Sequence, residues 1–178
     1  MRFTPTDIAG VTIIDIDPST DDRGAFARLY CPDEFASAGF PFVPIQTSLS
    51  RNTHTQTLRG LHYEAYPREE TKLVRVSQGS IFDVAVDVRP NSRTYLKWVG
   101  VELSGQNGRA LLIGRGMAHG FITLEDNTDV LYQIDRIYEP GHGQGYRWDD
   151  PAFGIKWPVE PKVMSERDSA YESLKVQV

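Results

Sequence analysis

The 178-residue chain contains a single cysteine, Cys31. That excludes an intramolecular disulfide and any cysteine-built metal site. No apolar run approaches the roughly 20 residues that span a bilayer. The segment Met1-Arg2-Phe3-Thr4-Pro5-Thr6 lacks the apolar stretch and small-residue cleavage site of a signal peptide. Positive charge is in deficit, with a formal net charge of -5. Such a surface does not attract nucleic acid or anionic membrane, so an anionic ligand needs a local cluster of Arg, Lys and His. Internal repeats, low-complexity tracts and linkers are missing too. These absences read as a cytoplasmic protein, with one domain over residues 1–178.

What is present is a succession of short strands. Val11-Thr12-Ile13-Ile14 is β-branched, and Ala25 to Tyr30 and Val43 to Ser50 read as extended. From Lys72 on, strands are expected at 72–76, 81–88, 95–103, 110–113, 120–124 and 130–137. Gly-, Asn- and Pro-containing turns separate them. In Phe82-Asp83-Val84-Ala85-Val86-Asp87-Val88, one face carries Phe82, Val84, Val86 and Val88. The other carries Asp83, Ala85 and Asp87. Pro32-Asp33-Glu34-Phe35-Ala36-Ser37-Ala38-Gly39 is the clearest helix, with Pro and acids at its start and Gly at its stop. A second short helix is expected from Ser165 to Leu174. The pattern indicates an antiparallel sandwich or barrel with few helices.

Chemistry concentrates in Leu58-Arg59-Gly60-Leu61-His62-Tyr63-Glu64 and Lys72-Leu73-Val74-Arg75-Val76. His62 reads either as a core histidine or as a general base, since an imidazole titrates near neutrality. Lys72 is either a solvated strand end or an inward cation able to stabilise a developing oxyanion. His119 lies among small residues, as a turn histidine or as a phosphate contact with Arg59. Tyr132 shares a face with Val130 and Ile134 and is a core aromatic or a general acid. Asp168 alone reads as a solvated carboxylate. A metal site built from His62, Glu64 and His119 would be irregular, because the usual His-x-His pair is missing.

Taken together, these residues resemble the dTDP-4-dehydrorhamnose 3,5-epimerase family. The matching segments are Leu58-Arg59-Gly60-Leu61-His62-Tyr63, Lys72-Leu73-Val74-Arg75, Asp83 to Arg89 and Ala118-His119-Gly120-Phe121. Tyr132, Tyr138-Glu139-Pro140, Trp148-Asp149-Asp150-Pro151 and Ile155-Lys156-Trp157-Pro158 match as well. The resemblance implies an all-β, cupin-type double-stranded β-helix, or jelly-roll barrel, with a few short peripheral helices. It implies no metal and no other cofactor, a homodimer, and a nucleotide-linked 4-keto-6-deoxy sugar as substrate. His62 would be the base, Asp168 its orienting partner, Tyr132 the acid and Lys72 the enolate stabiliser. Arg59 and His119 would grip the diphosphate. Arg23, Phe26, Gln46 and Tyr138 would line the nucleotide side.

The chain departs from the family pattern at Ala25-Phe26-Ala27-Arg28, where a Glu is usual, and at Gln46-Thr47-Ser48-Leu49-Ser50. Both regions belong to the nucleotide end, which leaves the base open. Glu64 stands where Gln is usual, and Gly114 where Pro is usual. The rival readings are a 3-epimerase or 3,4-ketoisomerase on another nucleotide sugar, a non-catalytic sugar-nucleotide-binding barrel, and a metal-dependent cupin.

Overall fold

In the computed structural model, residues 1–174 are described. The first sheet has six strands. In spatial order they are β1 (Arg2–Pro5), β2 (Val11–Asp15), β10 (Ala110–Ile113), β7 (Lys72–Gln78), β12 (Thr128–Ile134) and β5 (Gln46–Asn52). The second has five: β13 (Gly143–Gly145), β6 (Leu58–Glu64), β11 (Met117–Thr123), β8 (Ser80–Asp87) and β9 (Trp98–Ser104). All their pairings are antiparallel. A separate hairpin joins β3 (Ser19–Asp21) to β4 (Gly24–Phe26). The helices are α1 (Pro32–Ser37) and α2 (Glu166–Ser169). This is the jelly-roll barrel that the family resemblance implies, and it agrees with the antiparallel sandwich or barrel read from the strand spacing. No helix among the described residues is long and apolar enough to cross a membrane.

The two-residue period decides which side chains enter the barrel. Val74, Val76, Leu111 and Val130 from the first sheet pack against Ile81, Ala85, Leu103 and Phe121 from the second. This core fills part of the space between the sheets. On the outside of the first sheet, Leu73 and Leu112 meet Phe35 of α1 and Phe42. On the outside of the second, Leu61, Val84, Val86 and Ala118 are covered by Phe153, with Trp157 and Tyr146 packed around them. The alternation read in 82–88 therefore holds: Val84 and Val86 face outward while Ala85 joins the barrel core.

Several boundaries move, and three of the shifts bear on the site or have a plain cause. β9 starts at Trp98, not at 95, because Ser92 and Thr94 turn their hydroxyls onto Asp87 Oδ2 and hold that stretch as a turn. The second helix is one turn only. Ser165 caps it by accepting from the Asp168 N–H, and it closes at Ala170. β11 begins at Met117, so His119 lies mid-strand, paired with Ala85 of β8, and is not a turn histidine.

Candidate active site

The site begins with an irregularity between β6 and β11. Along β11, two steps separate His119 from Phe121. Their partners on β6 are His62 and Arg59, three steps apart. The extra residue breaks the alternation, as a β-bulge does, and Arg59 and His62 both line one cavity. The two strands touch at glycines. A Cβ on Gly60 would lie 2.6 Å from Gly120 Cα and 2.7 Å from the His119 carbonyl oxygen. Gly60 also has φ +117°, a region L side chains rarely adopt.

His62 is held from below. Its Nε2 lies 2.7 Å from Asp168 Oδ1. The other carboxylate oxygen of Asp168 accepts the Gly60 N–H at 3.1 Å. Burial of Asp168 works to raise its pKa. The hydrogen bond and charge of His62, the Gly60 N–H and Ser165 outweigh it, and the carboxyl sits below its ordinary range. Asp168 is therefore an anion, and it fixes the His62 ring through Nε2. The Nδ1 edge is left for the cavity.

The first sheet supplies the facing wall. Tyr132 pairs with Val74 and Ser48, and Ile134 with Lys72 and Gln46, which puts these side chains on one face. Gln46, Ser48, Lys72, Tyr132 and Ile134 line the same cavity as His62, a space of about 430 Å³. Lys72 Nζ sits 3.0 Å from Glu70 Oε1, with both side chains about 15% exposed. The Tyr132 phenol is pushed well above its usual pKa, first by burial and then by the charge of Asp83, with Arg59 pulling the other way. It stays protonated throughout the neutral range.

A model of the dTDP-4-dehydrorhamnose 3,5-epimerase family matches residues 5–176. The chain belongs to the dTDP-4-dehydrorhamnose 3,5-epimerase family. A family member from Sinorhizobium fredii is 41% identical over 175 residues, 98% of this chain and 90% of that protein. The crystal structure of the Bacillus anthracis dTDP-4-dehydrorhamnose 3,5-epimerase with TDP and PPi bound matches with a TM-score of 0.94 and 35% identity, over 97% of this chain and 99% of that one. The Legionella pneumophila dTDP-6-deoxy-D-glucose-3,5-epimerase, in complex with dTDP-4-keto-L-rhamnose, matches with a TM-score of 0.90 and 35% identity, over 97% of this chain and 92% of that one.

Of the residues expected for an epimerase of this family, His62, Tyr132, Lys72, Gln46, Arg59, His119 and Tyr138 line the cavity together. Asp168 backs it through His62. Arg23 and Phe26 do not join them. They sit on the β3–β4 hairpin, where Phe26 is 81% exposed and Arg23 pairs with Asp21 of the same hairpin. The reason is topological: the hairpin pairs only with itself and belongs to neither large sheet. Arg28 is likewise spoken for, at 2.7 Å from Glu34.

The sequence reading passed over four cavity-side groups. Asp83 is fully buried and holds His119 Nε2 at 2.7 Å. Asn52 accepts from Arg59 Nε at 2.8 Å and so aims that guanidinium. Glu70 pins Lys72. Arg167 donates to the Gly143 carbonyl at 2.7 Å at the cavity rim. Only Asp83 left a signal, as an acid on the inward face of a strand. Each inward imidazole has taken a carboxylate partner. Among the described residues no three His, Cys, Asp or Glu side chains gather as a metal site.

Proposed function

We propose that this chain inverts C3 and/or C5 of a dTDP-linked 4-keto-6-deoxyhexose. The observation that carries the reading is that His62 and Tyr132 line one cavity from different sheets. The 4-keto group acidifies the hydrogens on its neighbouring ring carbons. His62 takes one through its free ring nitrogen, and the C–H pair moves into an enolate. Asp168 compensates the imidazolium that results. Lys72 neutralises the enolate oxygen, a charge that exists only once the proton has left, so this contact lowers the barrier and not merely KM. Tyr132 then delivers a proton from the other side, and the centre is inverted. Arg59, aimed by Asn52, takes the diphosphate, while Gln46 and Tyr138 lie toward the nucleotide. Gln46 Oε1 accepts the Tyr138 N–H at 3.0 Å, which couples the two.

The test is solvent exchange. In D2O, a dTDP-linked 4-keto-6-deoxyhexose should gain deuterium at C3, C5 or both, with inversion. His62→Asn should lower that by roughly a hundredfold or more. No exchange with dTDP-, UDP-, GDP- or CDP-linked sugars would leave a binding barrel.

A homodimer completes the reading. Leu49 on the edge strand β5, Val43 and Ile45 just before it, and Phe26 and Leu29 in and after the hairpin are all at least 46% exposed, apolar surface with no cover from the described residues of this chain. A second copy of the chain would cover it, and the hairpin would carry Arg23 and Phe26 to the partner's cavity. Mixing Arg23→Ala and His62→Asn proteins should then restore activity, because a mixed dimer holds one site with both residues native. No recovery after subunit exchange would place the hairpin's action within its own chain.

A further inference from the structure

Arg75 is a buried cation outside the cavity. On β7 it lies between Val74 and Val76, which face the barrel core, so its side chain leaves on the outer face with Leu73 and its cross-strand partner Ala110. It is 7% exposed. Burial pulls its pKa down to about 10, which still leaves it charged at neutral pH. Among the described residues it has no carboxylate partner. The guanidinium donates instead to two backbone carbonyls, that of Leu29 at 3.1 Å through Nη2 and that of Gly108 through Nη1.

Those two carbonyls belong with the two stalks of the β3–β4 hairpin. Residues 16–18 lead into the hairpin and residues 27–31 lead out of it, and neither stretch is strand or helix. Leu29 is on the outgoing stalk. Gly108 abuts the incoming one: its φ is +58°, and a Cβ there would run into the Ile16 side chain. Because β3 and β4 pair only with each other, the stalks set the direction in which the hairpin projects. For stability alone, an apolar side chain beside Leu73 and Ala110 would serve as well as an unpaired charge. What a guanidinium adds is a planar fork that reaches two carbonyls of separate segments at once.

We propose that Arg75 is a positioning residue: by holding both stalks against the outer face of the first sheet, it aims the hairpin, and with it Arg23 and Phe26, at the nucleotide end of the partner's cavity. The role rests on the epimerase reading and on the site shared between two copies.

Calorimetric titration with dTDP reads the placement of the hairpin without turnover. In Arg75→Met, affinity should fall roughly tenfold or more, the worth of one charge-assisted contact. KM for a dTDP-linked 4-keto-6-deoxyhexose should rise with it, while the turnover number changes much less. Gly108→Ala should do the same by displacing Ile16 with Arg75 intact, so the test stands even if Arg75→Met does not fold. Subunit mixing, assayed well below KM, then locates the defect. A chain with a misplaced hairpin still has a sound cavity. Mixed with His62→Asn it should recover activity; mixed with Arg23→Ala, whose hairpin is also impaired, it should not. Recovery with Arg23→Ala, or none with His62→Asn, would put the damage in the variant's own cavity, on the strand that carries Lys72, and overturn the proposal. Unchanged dTDP affinity in both variants would overturn it too, whatever their melting temperatures. No recovery on mixing Arg23→Ala with His62→Asn would defeat the shared site and this role with it. Wild-type protein that binds dTDP but never exchanges or inverts would instead defeat the epimerase reading.

Discussion

Asp168 has both carboxylate oxygens committed, one to His62 and one to the Gly60 N–H. It therefore couples His62 to the backbone of the strand that carries it. Asp168→Asn removes the charge and supplies an amide of nearly the same shape. The fold should survive, because Ser165 still accepts the backbone N–H of residue 168. Turnover should fall by about 10²–10⁴-fold while dTDP binding changes little, measured by steady-state kinetics beside calorimetric titration. Nucleotide affinity that falls in step with turnover would give Asp168 a structural role instead. The same residue shows what sequence cannot display. Its partner lies 106 positions away, and no local pattern marks a tail carboxylate as buried. The family resemblance supplied the role, and the single turn of α2 capped by Ser165 supplies the reason.

Among the elements, β6 and β11 decide the site. Period-two reading succeeded wherever alternation was unbroken. In β8 it separated Val84 and Val86 from Asp83 and Ala85, and in β12 it put Tyr132 with Val130. It could not give the Arg59–His62 spacing a meaning, because same-side placement needs an extra residue against the neighbouring strand. That is a property of a pair of strands, set by glycines far apart in sequence. Gly60→Ala should be costly on two grounds, a φ of +117° and the Gly120 backbone 2.6 Å from the new carbon. Strain at such a position costs about 1–3 kcal/mol before any clash is counted. A loss of at least that size is expected in chemical denaturation, with His62 displaced and activity lost. Wild-type stability and activity in the variant would show that the strands are not in such close contact. The lengths of β9 and α2 were misjudged for a related reason. Side-chain hydrogen bonds from Ser92 and Thr94 to Asp87 delay the start of β9, and α2 closes where the Ala170 N–H turns onto the Glu166 and Arg167 carbonyls; propensity registers neither.

For the molecule as a whole, the strand count, the one clear helix and the spacing of turns were enough for an antiparallel sandwich or barrel, and the family resemblance narrowed that to a jelly roll. Where the hairpin of Arg23 and Phe26 would go was not legible, since one chain's sequence carries no account of a second copy. The two facing sheets matter most for the chemistry. A single sheet presents its groups to a ligand from one side. Two sheets closed on each other put His62 and Tyr132 on different walls of one cavity, where the proposed reaction would use them as proton acceptor and donor, with Lys72 on the Tyr132 wall. The most direct check is Tyr132→Phe assayed in D2O with a dTDP-linked 4-keto-6-deoxyhexose, following ring-carbon deuterium and configuration in one NMR experiment. Deuterium should still enter with the original configuration retained, since His62 can remove and replace a proton from its own side, and inversion should fall by roughly a hundredfold or more. Inversion at the wild-type rate would contradict the opposed arrangement and take Tyr132 out of the reaction.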